Sequence, residues 1–218
     1  MARHAAAKVS MHLQPIDCGW IEVVCGSMFS GKTEELIRRL KRALIAKQNV
    51  QAFKPVIDDR YSRSEIASHA GRRLEALPVA NLDALRAAIH EDVEVVGIDE
   101  AQFFDASLVA FCEELALRGV RVIVAGLDQD YLGQPFGPVP HLMTVAEFVT
   151  KTLAICVLCG NPAHRSHRIL AEQQAGQVLV GSTESYQALC RKCHANARAE
   201  ADMNASQGEI SFEDEGVQ

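Results

Sequence analysis

Short apolar segments alternate with amphipathic segments along the first two thirds of the chain. Mostly apolar runs bounded by turn residues predict buried strands at residues 21–25, 50–55, 93–98 and 121–127. Apolar residues at helical spacing predict helices at residues 33–48, 81–90 and 107–118. Strands that alternate with helices are typical of a parallel sheet covered by helices, so the pattern predicts an α/β fold.

The segments outside this alternation are less regular. Residues 57–77 show no clear period and are rich in Arg, Ser and Asp, which indicates an excursion on the surface. A helix is expected at residues 139–148 and a strand at residues 152–155. From Cys156 onward the alternation of apolar and amphipathic segments ends, and we expect a smaller second domain. Residues 177–182 have the pattern of a hairpin strand in this domain.

The charge and hydropathy of the sequence argue against several classes of protein. The formal net charge is −6, and residues 201–218 hold five acidic residues and no basic one, which is typical of a disordered acidic tail. The remainder is nearly neutral, so it lacks the basic surplus with which proteins bind nucleic acid. No apolar run approaches the ~20 residues of a membrane span, and residues 1–10 lack the apolar part of a secretory signal. We therefore expect a cytoplasmic protein without nucleic-acid or membrane partners.

A phosphate-binding loop follows the first predicted strand. Residues 26–33 match GxxxxGK[ST] at every fixed position and lie between a strand and a helix, a context that a chance glycine turn would lack. In such a loop the backbone N–H groups face phosphate oxygens, Lys32 can reach the β- and γ-phosphates, and the Thr33 hydroxyl can ligate Mg²⁺. The predicted ATP-binding residues are Gly26, Ser27, Met28, Phe29, Ser30, Gly31, Lys32 and Thr33.

Two carboxylates follow the third predicted strand. Asp99 and Glu100 come directly after Ile98, at the end of the strand where parallel sheets bind ligands. Adjacent side chains on an extended strand point to opposite sides, so we assign them different roles. Asp99 is a candidate for Mg²⁺ and Glu100 for accepting a proton from the nucleophile. That nucleophile is either a substrate hydroxyl or water, and a solvated pair at the strand end is the alternative without catalysis.

Four of the seven cysteines form two CxxC pairs, Cys156 with Cys159 and Cys190 with Cys193. Two such knuckles bring four thiolates to one tetrahedral ion, which is the pattern of structural zinc. A redox site would need only one pair. His194 follows the last cysteine and could replace it as the fourth ligand, although the spacing favours Cys193.

In this order the motifs resemble the type II, or cytosolic-type, thymidine kinases. The resemblance covers about residues 20–194, and the Asp-Glu-Ala-Gln-Phe-Phe string at residues 99–104 is far more specific than the phosphate loop. The other blocks that carry it are residues 26–33, 58–61, 126–130, 133–136 and 180–186 and the two cysteine pairs. It implies a parallel sheet of the P-loop NTPase (RecA-like) type, flanked by helices, with a small zinc-ribbon domain.

The resemblance implies a reaction as well. Members of this family transfer the γ-phosphoryl group of ATP to the 5′-hydroxyl of thymidine. By position, Glu100 would be the general base, Lys32 and Thr33 would keep their phosphate and Mg²⁺ roles, and Arg60 would lie near the transferred phosphate. Such a cation suits a transition state whose charge is spread over the phosphoryl oxygens. The family also implies a homotetramer and feedback inhibition by dTTP.

A thymidine pocket is implied in the same way, and its apolar and aromatic side chains suit a flat base. The implied residues are Met28, Phe103, Leu127, Tyr131, Phe136, Ser166, Val178, Gly181 and Tyr186. In the family a loop called the lasso grips much of the base; here it is roughly residues 165–185, and zinc would anchor its stems. This chain departs from many members at Ser27, where they have Pro, and from some at Ser166, where they have Thr.

Four regions follow from these assignments. They are a flexible head (1–15), an ATP-binding α/β domain (16–150), a zinc-binding lasso domain (151–197) and a disordered acidic tail (198–218). Two other functions remain open at this point: a P-loop ATPase in which Glu100 activates water, and a zinc-ribbon nucleic-acid binder regulated by ATP. The near-neutral body disfavours the second of these.

Overall fold

The computed structural model describes residues 18–56, 65–67, 73–169 and 185–210. In these ranges the helices are α1 (Lys32–Ile45), α2 (Leu82–Ala88), α3 (Ser107–Leu117), α4 (Val139–Val145) and α5 (Arg191–Ile210). The first six strands are β1 (Trp20–Gly26), β2 (Val50–Pro55), β3 (Glu65–Ala67), β4 (Arg73–Glu75), β5 (Leu77–Val79) and β6 (Val95–Ile98). The others are β7 (Arg121–Gly126), β8 (Phe148–Thr152), β9 (Ala154–Ile155), β10 (Pro162–Ala163), β11 (Arg165–Arg168) and β12 (Tyr186–Leu189).

Six strands form one sheet in the order β5-β2-β6-β7-β1-β8. Every neighbouring pair is parallel, and helices cover the sheet, so the predicted α/β fold is confirmed. The inner four strands of this sheet, β2, β6, β7 and β1, correspond to the strands predicted at residues 50–55, 93–98, 121–127 and 21–25. Inner strands are buried on both faces and therefore appear in the sequence as apolar runs.

The alternation of side chains along β1 distributes them between the two layers of helices. Ile21, Val23 and Cys25 pack in the same core cluster as residues of α3 and α4, whereas Val24 packs in the cluster that contains the apolar face of α1. Side chains of successive strand residues point to opposite faces, so one strand serves both cores. β1 is thereby fixed in the middle of the molecule, and the loop that follows it starts from a rigid position.

Both edge strands differ from the expectations. The helix predicted at residues 139–148 ends at Val145, and residues Phe148–Thr152 form the edge strand β8, which the sequence did not predict. The strand predicted at residues 152–155 corresponds to the short strand β9, Ala154–Ile155, of the smaller module. Its residues alternate between half-buried and exposed, so it lacks the apolar run of an inner strand. At the other edge, β5 lies at the end of the segment interpreted as an excursion, and Ile66 of the β3–β4 hairpin packs into the core beside α1.

A smaller module follows β8. Two antiparallel pairs, β9 with β10 and β11 with β12, enclose a core of small residues and cysteines. Helix α5 continues to Ile210, whereas disorder was expected from residue 198, because its alanine-rich sequence has high helix propensity. Among the described helices, none has the length and apolar character needed to cross a membrane. The strand predicted at residues 177–182, the head and residues 211–218 lie outside the described residues.

A charged network joins α1 to the sheet near the start of β1. The buried Glu22 accepts hydrogen bonds from Arg39 of α1 at 2.7 Å, from Arg121 of β7 at 2.6 Å and from the Trp20 indole at 2.7 Å. Burial would raise the pKa of Glu22, but the hydrogen bonds from Arg121 and Trp20 and the charges of both arginines outweigh it and lower the pKa. The ionised carboxylate therefore stabilises the fold.

We expect Glu22→Gln to lower the free energy of unfolding at pH 7 by about 2–4 kcal/mol, because the partly buried Arg121 loses its counter-ion and Arg39 keeps only its ion pair with Glu35. Glu114→Gln is the matched control, since it breaks an ion pair of equal length, 2.7 Å, whose side chains are 49% and 45% exposed. That change should cost less than about 1 kcal/mol. The measurement is urea unfolding followed by circular dichroism.

The same variants test the pH dependence. Because folding lowers the pKa of Glu22, its stabilisation is present above about pH 4.5 and is lost as the pH falls through the folded-state pKa. The difference between wild type and Glu22→Gln should therefore shrink in acid. A difference that stays constant down to pH 3, or equal costs for the two variants at pH 7, would contradict this account.

Candidate active site and metal centre

The phosphate loop is held in shape by its own hydrogen bonds and by β8. Lys32 Nζ donates to the Ser27 carbonyl oxygen at 2.8 Å, and Ser30 Oγ donates to the same oxygen at 2.7 Å. Ser30 Oγ also lies 2.8 Å from Thr152 Oγ1 at the end of β8. A Cβ at Gly26 would lie 2.3 Å from the Thr152 carbonyl oxygen, so only glycine fits there. The loop is thus tightly packed against the sheet.

Helix α1 starts directly from this loop. Gly31 precedes its first residue with φ 83°, a left-handed conformation that glycine adopts without strain. The first N–H groups of a helix have no partner within the helix, and the helix dipole places partial positive charge there. With Lys32 as the first helical residue, this end of α1 has the chemistry of a phosphate-binding site.

Asp99 and the phosphate loop meet across the sheet. Thr33 Oγ1 lies 3.4 Å from Asp99 Oδ1, and the Asp99 residue is 4% exposed. The same Asp99 oxygen accepts the N–H of Glu100 at 3.0 Å. A hydroxyl and a carboxylate at this separation are oxygen ligands of the type that Mg²⁺ prefers. The two residues assigned to Mg²⁺ from the sequence are therefore neighbours.

Glu100 is separated from Asp99 by a turn of the backbone and not by the alternation of a strand. β6 ends at Ile98, and Glu100 has φ 49° and ψ 43°, a left-handed conformation unusual for a residue with a side chain. The prediction that Asp99 and Glu100 point to opposite sides because both lie on extended backbone is therefore wrong. The two carboxylates nevertheless have different partners: Asp99 contacts Thr33, whereas Glu100 contacts Gln102. Left-handed backbone at such a residue costs about 1–3 kcal/mol and is found preferentially at functional sites.

Three polar residues near this edge of the sheet, Gln102, Asp128 and Lys151, received no role from the sequence. Gln102 Nε2 donates to Glu100 Oε2 at 2.5 Å, and Lys151 Nζ lies 2.5 Å from Asp128 Oδ2. Burial raises the pKa of the neighbouring Cys25 thiol to about 11, and the negative charge of Asp128 adds to the effect. Cys25 is therefore a protonated packing residue. The signal that could have revealed Asp128 and Lys151 is their position, since each lies at the carboxyl end of a strand.

The described part of the implied thymidine pocket forms three contacts. Phe103 and Phe136 meet edge to face with ring centroids 6.1 Å apart. The N–H of Met28 donates to Ser166 Oγ at 3.0 Å, which joins the phosphate loop to β11. The guanidinium of Arg168 lies 5.2 Å from the ring centroid of Tyr131.

The other predicted residues divide into two groups. Leu127 follows β7, and the buried Tyr186 begins β12, where it pairs with Arg168. Arg60, Val178 and Gly181 lie outside the described residues, as does most of the lasso.

The four paired cysteines come together. The sulfur atoms of Cys156, Cys159, Cys190 and Cys193 all lie within 4.8 Å of one another. A tetrahedral zinc ion with Zn–S bonds of about 2.3 Å would place its sulfurs about 3.8 Å apart. The Cys159 and Cys190 sulfurs are 3.6 Å apart, so the donor set fits a metal such as zinc in size and chemistry.

Hydrogen bonds within each knuckle favour the thiolate form of its first cysteine, whereas the neighbouring thiols raise the pKa of Cys193 to about 12. Burial would raise the pKa of Cys156, but backbone hydrogen bonds, which include those of Leu158 and Cys159, lower it to about 6. In the second pair the N–H of Cys193 donates to Cys190 Sγ at 3.5 Å, and this bond contributes to a lowered pKa of Cys190. His194 is not part of the cluster, because its Nε2 lies 3.0 Å from the Tyr131 carbonyl oxygen. The geometry therefore favours Cys193 as the fourth ligand.

Comparison with known protein families adds a finding that does not depend on this geometry. A family model described as thymidine kinase matches residues 19–194. The match covers most of the 218 residues and runs from β1 to the second cysteine pair. One family model therefore covers both the sheet with its phosphate loop and the cysteine module.

We expect the purified protein to contain about one zinc ion per chain, bound by the four cysteines. Cys156→Ser should lower the zinc content, measured by plasma mass spectrometry, to nearly zero. The control is Cys18→Ser, because Cys18 is exposed and lies outside the cluster, and it should leave the zinc content unchanged. Retention of zinc by Cys156→Ser would exclude this ligand set.

Proposed function

Because the chain belongs to the thymidine kinase family, we propose that it transfers the γ-phosphoryl group of ATP to the 5′-hydroxyl of thymidine. The products are dTMP and ADP, in the salvage of pyrimidine deoxynucleotides for DNA synthesis, and deoxyuridine is a further candidate substrate. The observation that carries the proposal is the meeting of Thr33 with Asp99, since it joins a phosphate loop to a carboxylate and to the adjoining Glu100. A site for phosphates and a site for a proton thus share one edge of the sheet.

The phosphate loop would bind the β- and γ-phosphates of ATP. Its backbone N–H groups and the N-terminus of α1 supply hydrogen-bond donors and partial positive charge. Lys32 adds a full positive charge that follows the γ-phosphoryl group during its transfer. Thr33 and Asp99 are the residues that would hold Mg²⁺, which neutralises charge on the phosphates when it is bound with ATP.

Glu100 would accept the proton of the 5′-hydroxyl. As the O–H bond breaks, the 5′-oxygen forms a bond to the γ-phosphorus, and the bond from that phosphorus to the β,γ-bridging oxygen breaks. ADP then leaves with the electron pair of that bond. Arg60 would stabilise the negative charge on the phosphoryl oxygens in the transition state. Phosphoryl transfer depends mainly on such positioning and electrostatic stabilisation.

The base of thymidine would lie against the apolar wall next to Glu100. The pair of Phe103 and Phe136 supplies flat surfaces for stacking, and the main chain of the lasso supplies hydrogen-bond partners. Ser166 holds Met28 through its hydroxyl, so it would act on the pocket partly through the position of that loop residue. The remaining proposed contacts are Leu127, Tyr131, Val178, Gly181 and Tyr186.

Zinc would have a structural role in this function. β11 and β12 are the two stems of the lasso, and β12 leads directly into the second cysteine pair. A four-thiolate site has no open position for a substrate, so the ion would anchor the stems without taking part in the reaction. A homotetramer and feedback inhibition by dTTP, which depend on the family resemblance alone, and the cytoplasmic location expected from the sequence complete the proposal.

The first test is a coupled assay of ADP release with ATP and Mg²⁺, in the presence and absence of thymidine. We expect strong release only with thymidine, together with formation of its 5′-monophosphate. Equal release without nucleoside would overturn the proposal in favour of an ATPase in which Glu100 activates water. Release that depends on deoxyuridine but not on thymidine would reassign the substrate.

The second test is Glu100→Gln, which removes the proton acceptor and keeps the size of the side chain. We expect kcat to fall by about 10²–10⁴, while the Kd of ATP, measured by calorimetry, changes less than about threefold. Glu114→Gln on the exposed side of α3 serves as the control and should keep kcat. A kcat of Glu100→Gln within tenfold of wild type would exclude Glu100 as the base.

A further inference from the structure

Gln102 connects the Glu100 carboxylate to the backbone of the neighbouring strand. The residue is 3% exposed and lies on a short 3₁₀ turn, Ala101–Phe103, directly after Glu100. Its Nε2 donates to Glu100 Oε2 at 2.5 Å, and its Oε1 accepts the N–H of Leu127 at 2.9 Å. Both ends of one buried amide are thus engaged, one by the proposed base and the other by main chain.

The chemistry of the partners fixes the orientation of this amide. A backbone N–H can only donate, so the group that faces Leu127 must be the oxygen of the Gln102 amide. The nitrogen must then face Glu100, where a carboxylate can accept. β6 ends at Ile98 opposite Val124, so Leu127 lies beyond the end of that strand, and the Gln102 side chain supplies its acceptor.

The surroundings leave Gln102 little freedom to move. A Cβ at Gly126 would lie 3.0 Å from Gln102 Oε1, and a Cβ at Gly137 would lie 2.4 Å from the Gln102 carbonyl oxygen. The backbone of Gly126 therefore packs closely against the side chain of Gln102, and the backbone of Gly137 packs closely against its main chain. A side chain at either glycine would occupy the space that Gln102 fills. A side chain packed in this way holds its bonding partner in a fixed direction.

Glu100 itself needs such support. Its backbone is left-handed, so the pleat of β6 does not determine where its side chain points. The terminal torsion of a glutamate is broad, and the side chain loses rotamer freedom when it is held in one orientation. Asp99 holds the N–H of Glu100, and Gln102 holds one oxygen of its carboxylate. One oxygen of the carboxylate is thereby held in position relative to the backbone of Glu100.

We propose that Gln102 is the positioning residue of the reaction: anchored on the N–H of Leu127, it fixes the direction from which Glu100 accepts the proton of the substrate hydroxyl. This role rests on the proposed function of Glu100 as the base. Gln102 forms no bond with the reacting atoms and acts only through Glu100. Because misplacement of a reacting group by about 1 Å can cost about 10²-fold in rate, loss of the anchor should affect turnover more than binding.

The experiment is a double-mutant cycle of Gln102→Met and Glu100→Gln, with kcat and both KM values measured for each protein. Gln102→Met keeps the length of the side chain and removes both hydrogen bonds. In the wild-type background we expect kcat to fall about 10–100-fold and each KM to change less than about threefold. In the Glu100→Gln background the same change should lower kcat by less than about twofold, because the group that Gln102 positions is already gone.

A matched control separates positioning from simple bracing. Gln51 makes the same two-ended contact away from the site: its Nε2 donates to the Ala88 carbonyl oxygen at 3.0 Å, and its Oε1 accepts the N–H of His90 at 2.8 Å. Gln51→Met should therefore keep kcat within about twofold of wild type. If Gln102→Met does not fold, Gln102→Asn provides the same test, since it keeps a buried amide that is too short to bridge both partners.

Two results would overturn the positioning role. One is a kcat within threefold of wild type for the folded Gln102 variant. The other is an equal fold-loss of kcat in the wild-type and Glu100→Gln backgrounds, which would identify Gln102 as a brace of the fold. A wrong assignment of Glu100 as the base appears elsewhere, in the single variant Glu100→Gln, whose activity would then remain close to that of wild type. Failure of the proposed reaction appears as ADP release that does not depend on a nucleoside.

Discussion

All six strands of the central sheet run in the same direction, and the candidate active site depends on that alignment. β1, β6, β7 and β8 are neighbours in space but come from distant parts of the chain, and their carboxyl ends lie at one edge. The phosphate loop, Asp99 and Lys151 therefore meet there. If β6 were antiparallel, Asp99 would lie at the opposite edge, far from Thr33. The direction of each strand is thus a condition of the chemistry as well as of the fold.

The same edge carries an electrostatic conflict that the proposed function resolves. Asp99 and Asp128 are each less than 10% exposed, and both lie near a loop built for phosphate anions. Buried carboxylates repel an anionic ligand unless cations stand between them. Lys151 compensates Asp128 directly, and the proposed Mg²⁺ would compensate Asp99 when ATP binds. On the proposed function, this edge of the sheet would therefore favour ATP that is bound to Mg²⁺ over a phosphate compound without a metal ion.

The sequence predicted those parts of the structure that depend on local pattern. The four inner strands are apolar runs, and the predicted start of α2 at Asn81 is its N-cap, whose side chain accepts the N–H of Ala84. The edge strands β5 and β8 were missed or displaced because half-exposed strands carry no such run. In the site, motifs identified Lys32, Thr33, Asp99 and the four cysteines. The left-handed backbone at Glu100 and the hydrogen bond that Gln102 donates to its carboxylate are features that no local sequence pattern encodes.

The position of β1 has a consequence for the way the chain folds. β1 is the first strand of the described part of the chain, yet its two partners in the sheet, β7 and β8, begin only at Arg121 and Phe148. Pairing of strands so far apart in sequence requires the closure of long loops. The chain loses conformational entropy in this step before the strand contacts stabilise it, so folding is slow. During synthesis β1 therefore leaves the ribosome as an apolar strand without a sheet partner. It stays exposed to wrong pairing, and to chaperones, until most of the chain has been made.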